Sequence, residues 1–338
     1  MKKIYPILIT MLLFSSQCRH IDENTSSTIL SYYNDDGIFS SYYEMAYKSL
    51  KTMSIEEKIG QLFLARCPDE GAIDVIKKYK ISGFVLFRQD FQNKSFYEVL
   101  DTLSSYQKAS TIPLILSTDE EGGTVVRISS NENLFKHRFL SPQELFKNGG
   151  MDEIKNDAID KAKLLKSLGI NVNLAPVADI SEDPNDFIYA RSFGKNAKET
   201  SDFIKTVVIA TQSNGVSSCL KHFPGYGNNI DTHTDVAIDE RPFDDFLKND
   251  FKPFEEGIKN GVHCILVSHN IVKCMDDTLP SSLSPNVHRI LRENLGFTGI
   301  IITDDLVMDA IKLHTSGEDP AVQAILAGND MIIVTDIA

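Results

Sequence analysis

The chain has 338 residues, 42% of them hydrophobic and 24% charged, which is enough apolar material for a sizeable core and rules out disorder as a whole. Its 34 Lys and Arg against 47 Asp and Glu leave a net charge of −13, which repels phosphate backbones and anionic membrane surfaces, and no basic stripe interrupts it, so nucleic acid is not an expected partner. Length alone leaves open two domains or one α/β barrel of roughly 250 residues.

Met1-Lys2-Lys3 and the apolar run over 4–14 have the form of a secretory signal, a basic start joined to a stretch too short to span a bilayer. The segment ends in Ser15-Ser16-Gln17-Cys18, small residues leading to a cysteine as in bacterial lipoprotein signals. Cys18 is therefore the expected site of a membrane-anchoring lipid, 1–18 is set aside from the fold, and secretion without a lipid is the alternative. Residues 19–41, rich in Ser, Asn, Asp and Tyr and without an apolar period, read as a tether. The globular unit is expected over 42–338, in an exported protein of the cell envelope, periplasm or medium.

Beyond the tether, short β-rich runs alternate with longer amphipathic stretches, the pattern of repeated βα units on a parallel sheet. The runs are 61–65, 83–87, 114–117, 171–175, 217–220, 264–267, 299–302 and 331–334. Between them 101–109, 154–168, 200–213, 246–259 and 285–295 carry apolar residues at helical spacing, and Gly169, Gly215, Gly261 and Gly296 stand where helices would end. Asp119, Asp179, Lys221 with His222, His269, and Asp304 with Asp305 follow the third to seventh runs. A closed (β/α)8 barrel gathers all such positions at its C-terminal rim, whereas an open doubly wound sheet gathers only those at its switch point, so a TIM-type barrel in a single catalytic domain is expected. With Ala338 just past the eighth run, the last barrel helix is expected to be missing.

Cys67, Cys219, Cys264 and Cys274 show no C-x-x-C spacing, so neither a metal site nor a redox motif is expected. Cys219 and Cys264 lie inside apolar runs and read as buried free thiols, with a disulfide among the four open in an oxidising compartment.

The strongest local signal is Lys221-His222-Phe223-Pro224-Gly225-Tyr226-Gly227, followed by Asp231-Thr232-His233. Pro and Gly after a strand force a turn, and Asp231 and His233, two residues apart, can point to one side if that loop is extended. A carboxylate against an imidazole orients it and favours its protonated form, as a general acid requires. Alone, such a pair would read as a solvated polar loop. It is accompanied by Ser117-Thr118-Asp119-Glu120-Glu121-Gly122-Gly123-Thr124-Val125-Val126-Arg127, by Arg191-Ser192-Phe193-Gly194, and by Thr303-Asp304-Asp305-Leu306-Val307-Met308.

Together and in this order the segments resemble the family 3 glycoside hydrolases, most closely the β-N-acetylglucosaminidase branch, which carries Asp-Ser-His where this chain has Asp231-Thr232-His233. The resemblance runs from about Met53 to Asp330 and takes in Asn173-Leu174-Ala175-Pro176-Val177-Ala178-Asp179. It implies that Asp304 is the nucleophile, with the adjacent Asp305 as rival. It further implies that His233 is the acid/base oriented by Asp231, and that Asp119, Arg127, Arg191, Lys221 and His222 grip the hydroxyls of the terminal sugar.

Competing structural readings are an internal salt bridge for Arg127 or Arg191, loop fixing for Asp179 and a structural hydrogen bond for His269. His137, His263, His288 and His314 read as surface or packing residues. The implied activity is retaining, exo-acting release of terminal β-linked N-acetylglucosamine from a carbohydrate partner, with no metal or organic cofactor. A β-glucosidase and a non-catalytic sugar- or protein-binding surface lipoprotein are the alternatives. Four features depart from the family pattern: Tyr226 replaces a second His, the segment between Gly227 and Asp231 is one residue shorter, Thr124 replaces Arg, and Glu120 replaces Gln.

Overall fold

Eight short strands, β1 (Phe63–Arg66), β2 (Gly83–Leu86), β3 (Ile115–Thr118), β4 (Val172–Asn173), β5 (Ser217–Phe223), β7 (Cys264–Val267), β9 (Ile300–Asp305) and β10 (Met331–Val334), close into a parallel barrel in a computed structural model. That structure describes residues 37–229, 237–307, 311 and 319–335. The signal segment with Cys18, most of the tether, and the loop carrying Asp231 and His233 lie outside the described residues. Closure is made by β1 and β10, paired at Phe63 with Ile332 and Ala65 with Val334. Two further strands, β6 (Ile238–Asp239) and β8 (Ile271–Val272), pair with each other outside the barrel.

Each of the eight apolar runs becomes a barrel strand, because strands covered on both faces need continuous rather than alternating apolar residues. Leu64, Val85, Leu174, Cys219, Leu266, Ile302 and Ile333 fill the barrel interior. Larger clusters lie outside the strands, where Leu86, Leu116 and Phe84, or Leu220, Ile265 and Ile301, meet the surrounding helices. Two strands run further than their apolar runs: β5 extends through Phe223 and β9 through Asp305. Inter-strand pairing continues there, at Phe223 with Val267 and Asp305 with Ile333, so polar residues read as lying beyond the strands are their last residues.

The helices among the described residues include α1 (Tyr43–Thr52), α2 (Ile55–Gly60), α3 (Ala72–Tyr79), α4 (Phe96–Ala109), α5 (Pro142–Ser167), α6 (Ala197–Ser213), α7 (Phe251–Lys259), α8 (Pro285–Arg289) and α9 (Pro320–Ala327). Three begin with a Ser whose hydroxyl accepts from the backbone three residues on, while the Glu there accepts from the Ser backbone: Ser54 with Glu57, Ser95 with Glu98 and Ser141 with Glu144. Both α4 and α5 start before the stretches read from periodicity, and in α5 non-helical backbone at Gly149 and Gly150 separates the first turns from the stretch that was read. The four glycines expected at helix ends all have left-handed backbone, with φ of +86°, +84°, +73° and +72° in chain order.

At its described start the chain meets the base of the barrel. The Ile38 N–H donates to Thr298 Oγ1 at 3.2 Å, and the Phe39 ring lies 5.3 Å from that of His263. Thr298 lies two residues before β9 and His263 one residue before β7, so this contact is at the strands' N-terminal ends. Packing thus begins within the stretch read as tether, because Phe39 finds an aromatic partner there.

Candidate active site

The C-terminal rim begins with the turn after β3. Glu121 and Gly122 both donate backbone N–H groups to the Val125 carbonyl, at 3.0 and 3.1 Å. This fold-back needs two glycines: Gly122 and Gly123 have φ of +105° and +60°, and a Cβ on Gly122 would come within 2.2 Å of the Leu140 carbonyl oxygen. Glu120 is buried and accepts from the backbone N–H groups of Arg127, Ile128 and Ser129 at 2.9, 2.7 and 3.2 Å. Asn173 holds the other side of Glu120, accepting from its N–H at 3.0 Å and donating to its carbonyl at 3.1 Å. From α5, Lys161 donates to the Glu121 carbonyl at 2.9 Å and pairs with Asp157 at 2.6 Å. The turn that presents Asp119, Glu121 and Arg127 is therefore fixed on three sides.

At the end of β5, Lys221 is buried between two carboxylates, with Nζ 2.7 Å from Asp119 Oδ1 and 2.6 Å from Glu121 Oε1. Glu121 also receives the fork of Arg191, Nε at 3.0 Å and an outer nitrogen at 2.8 Å. Arg127 stands 3.5 Å from Asp119 and 5.5 Å from the Phe87 ring. Burial pushes the Glu121 carboxyl upward, but Arg191 and Lys221 outweigh it and hold the group well below the usual carboxylate range. Burial opposes the charge on Lys221, and Asp119 with Glu121 overcome it, raising its pKa above the ordinary lysine value. Glu121 and Lys221 therefore both stay ionised throughout the neutral range.

His222 is fixed by Asp179. Asp179 Oδ2 accepts from the His222 backbone at 3.1 Å and lies 2.6 Å from Nδ1, while Oδ1 accepts from the Tyr226 backbone at 2.7 Å. With Nδ1 turned to Asp179, Nε2 faces an outer nitrogen of Arg191 at 3.3 Å. Lys221 and His222 are consecutive yet both line the same cavity, and the peptide bond between them is cis.

Asp304 and Asp305 end β9, and both line that cavity, so strand alternation does not separate them. Their partners do. Asp305 Oδ1 accepts from the backbones of Thr335 at 3.1 Å and Val307 at 3.2 Å, and Oδ2 accepts from the Thr335 hydroxyl. Asp304 Oδ1 accepts from the Asp305 backbone at 2.9 Å. Beneath them the buried His269 bridges Ser282 Oγ and the Asp305 carbonyl, each at 2.8 Å.

The cavity measures about 330 Å³ and is walled by Asp119, Arg127, Arg191, Lys221, His222 and Asp304, all six anticipated from sequence and described here, with Phe87, Glu121 and Asp305 added. Both arginines prove to be salt-bridged and pocket-lining at once. Asp179 is a loop-fixing carboxylate, and His269 makes structural hydrogen bonds. Glu121 was not singled out from sequence, although its place in Asp119-Glu120-Glu121-Gly122-Gly123 was a signal: a strand-end acid two residues from another points to the same side. Among the described residues no group of three or more His, Cys, Asp or Glu is arranged to hold a metal ion.

The family model for the glycosyl hydrolase family 3 N-terminal domain matches residues 54–337. A beta-hexosaminidase of Xanthomonas campestris pv. campestris (strain B100) is 29% identical over 270 residues, covering 77% of this chain and 79% of that protein. The solved β-N-acetylglucosaminidase of Paenibacillus sp. str. FPU-7 superposes with a TM-score of 0.78 at 29% identity, covering 84% of this chain and 55% of its own, so the present chain spans about half of it. NagZ from Neisseria gonorrhoeae, solved with N-trifluoroacetyl-D-glucosamine, gives a TM-score of 0.71 at 25% identity, covering 82% and 81% of the two chains. A family match of that extent, on a parallel barrel with its ionised cluster gathered at the C-terminal rim, places this chain in glycosyl hydrolase family 3.

Proposed function

We propose that the chain is a retaining exo-β-N-acetylglucosaminidase that removes terminal non-reducing N-acetylglucosamine from amino-sugar oligosaccharides or cell-wall fragments. The observation that carries this reading is the rim cavity, in which Asp304 shares a wall with the hydroxyl-gripping set of Asp119, Arg127, Arg191, Lys221 and His222. The amino-sugar class is supported by the relatives' names and by the N-trifluoroacetyl-D-glucosamine bound to the Neisseria protein. Asp304 is favoured over Asp305 as nucleophile by its place in the family motif, and both Asp305 oxygens are held by Thr335 and Val307.

In the first step Asp304 attacks the anomeric carbon while His233, oriented by Asp231, protonates the departing oxygen. In the second, water deprotonated by His233 releases the sugar from Asp304 with retained configuration. His233 and Asp231 take these roles from the sequence motif. Export, with a lipid on Cys18 holding the protein at the envelope, completes the reading.

Purified enzyme should prefer nitrophenyl β-N-acetylglucosaminide over the matching β-glucoside by on the order of 100-fold in kcat/KM. Asp304→Ala should lower turnover by roughly 10⁴-fold or more with the fold retained, since rim residues contribute little to barrel stability. Wild-type turnover in that variant would refute the assignment, and loss in Asp305→Ala alone would exchange the two roles. His233→Ala should lose most on substrates with poor leaving groups; a uniform loss across aryl glycosides of graded acidity would remove it as the acid.

A further inference from the structure

We propose that Cys219 and Cys264 form a disulfide between the neighbouring strands β5 and β7, inside the barrel and below the sugar cavity. The two residues are direct register partners, Cys219 opposite Cys264, with Leu220 opposite Ile265 beside them. Both thiols belong to the interior layer that also holds Leu64, Leu174, Leu266 and Ile302, where Lys221 is the next residue along β5 to face inward. Their sulfurs lie 3.0 Å apart. Neighbouring strands are about 4.8 Å apart, within the roughly 4.4–6.8 Å that a disulfide requires between its Cα atoms, so the bond needs no rearrangement of the sheet. The remaining described cysteines are elsewhere: Cys67 contacts the Tyr106 hydroxyl at 3.8 Å, and Cys274 is exposed.

Forming the bond breaks two S–H bonds, and their two protons and two electrons convert a disulfide-bearing oxidant such as glutathione disulfide to two thiols. One cysteine attacks the oxidant as thiolate, and the second displaces the departing thiol from the mixed disulfide. Burial, with Cys219 alongside, raises the Cys264 thiol well above its ordinary pKa. Exchange therefore belongs to folding, before the barrel shuts the sulfurs away from solvent and oxidant. The resulting ring spans 219–264 and contains Lys221 and His222 of the sugar-gripping set.

The test does not depend on where the protein resides or on its substrate. Full-length chain, unfolded and reduced, is refolded either in glutathione/glutathione disulfide buffer or with reductant present, then denatured and labelled with N-ethylmaleimide. The oxidised sample should carry two fewer labels on these cysteines, and its peptide map should contain one cross-linked species joining Cys219 to Cys264. Its thermal midpoint should exceed that of the reduced sample by on the order of 5 °C. Cys219→Ala and Cys264→Ala should each abolish that difference; should either fail to fold, the label count and map of the unsubstituted chain still decide. Full labelling of Cys219 and Cys264 after oxidative refolding, or a cross-link joining either to another cysteine, would overturn the proposal.

Discussion

Glu121 holds one negative charge between two cations that the pocket needs in fixed places. Its carboxylate takes the Arg191 fork and also contacts Lys221, all within 3.0 Å, in a site shielded from water. Glu121→Gln keeps the volume but presents an N–H to donors and leaves a buried cation less compensated, which costs about 3–5 kcal/mol when a buried pair is broken. We expect a clear drop in thermal midpoint together with a loss of roughly 100-fold in kcat/KM, the scale set by misplaced substrate-binding groups. Glu121→Asp, which keeps the charge and shortens the reach, should recover part of both. Undiminished kcat/KM in Glu121→Gln would refute this positioning role. The sequence displayed Asp119, Lys221 and Arg191 because they stand in recognisable motifs at strand ends. It did not display the bonds of Glu121 to Arg191, 70 residues away, because the segments that follow β3 and β4 meet only once those two strands pair.

The turn after β5 rests on an element with its own charge imbalance. A Cβ on Gly225 would lie 2.4 Å from Asp250 Oδ1, and one on Gly227 would lie 2.6 Å from an outer nitrogen of Arg241, so both positions depend on glycine. Arg241 gives Nε and one outer nitrogen to Asp239 and its remaining nitrogen to Asp250 at 2.9 Å, while its guanidinium lies 4.4 Å over the Phe246 ring. Two buried carboxylates thus share one cation. Burial pushes Asp250 up to about 6, against the pull of Arg241, with Asp179 and Asp239 adding repulsion. The folded-state value lies above the unfolded one, so this group favours folding most below about pH 4, and that contribution is lost as pH rises through about 6.

Asp250→Asn removes the titration. Between pH 4 and pH 7 the wild type should lose up to roughly 3 kcal/mol more stability than this variant, measured by urea unfolding at both pH values. Parallel losses in the two proteins would show that Asp250 is ionised in the fold throughout. At this scale the sequence was legible for strands, whose runs are apolar on both faces, and for the packed middles of helices. It was less so for capped first turns and for the polar ends of β5 and β9, since a rim residue in a barrel strand is no longer required to be apolar.

For the molecule as a whole, the two ends of the barrel carry different features. The cavity opens among strand C-termini, whereas the described chain starts at the opposite end, held by Ile38 on Thr298 and Phe39 on His263. No helix among the described residues is long and apolar enough to cross a membrane, and the Ser15-Ser16-Gln17-Cys18 segment is the proposed point of lipid attachment. A single acyl chain binds a bilayer only marginally, so stable anchoring at Cys18 requires more than one. Fatty-acid labelling should mark the wild type and spare Cys18→Ser, and the variant should leave the membrane fraction. Because the tether joins the barrel at its base, the kcat/KM of Cys18→Ser on a small soluble glycoside should stay within about twofold of the detergent-solubilised wild type, since none of the rim contacts changes. Unlabelled wild type that retains Met1 would refute the anchor, while a labelled wild type whose activity fell with Cys18→Ser would show that the base and rim of the barrel are coupled.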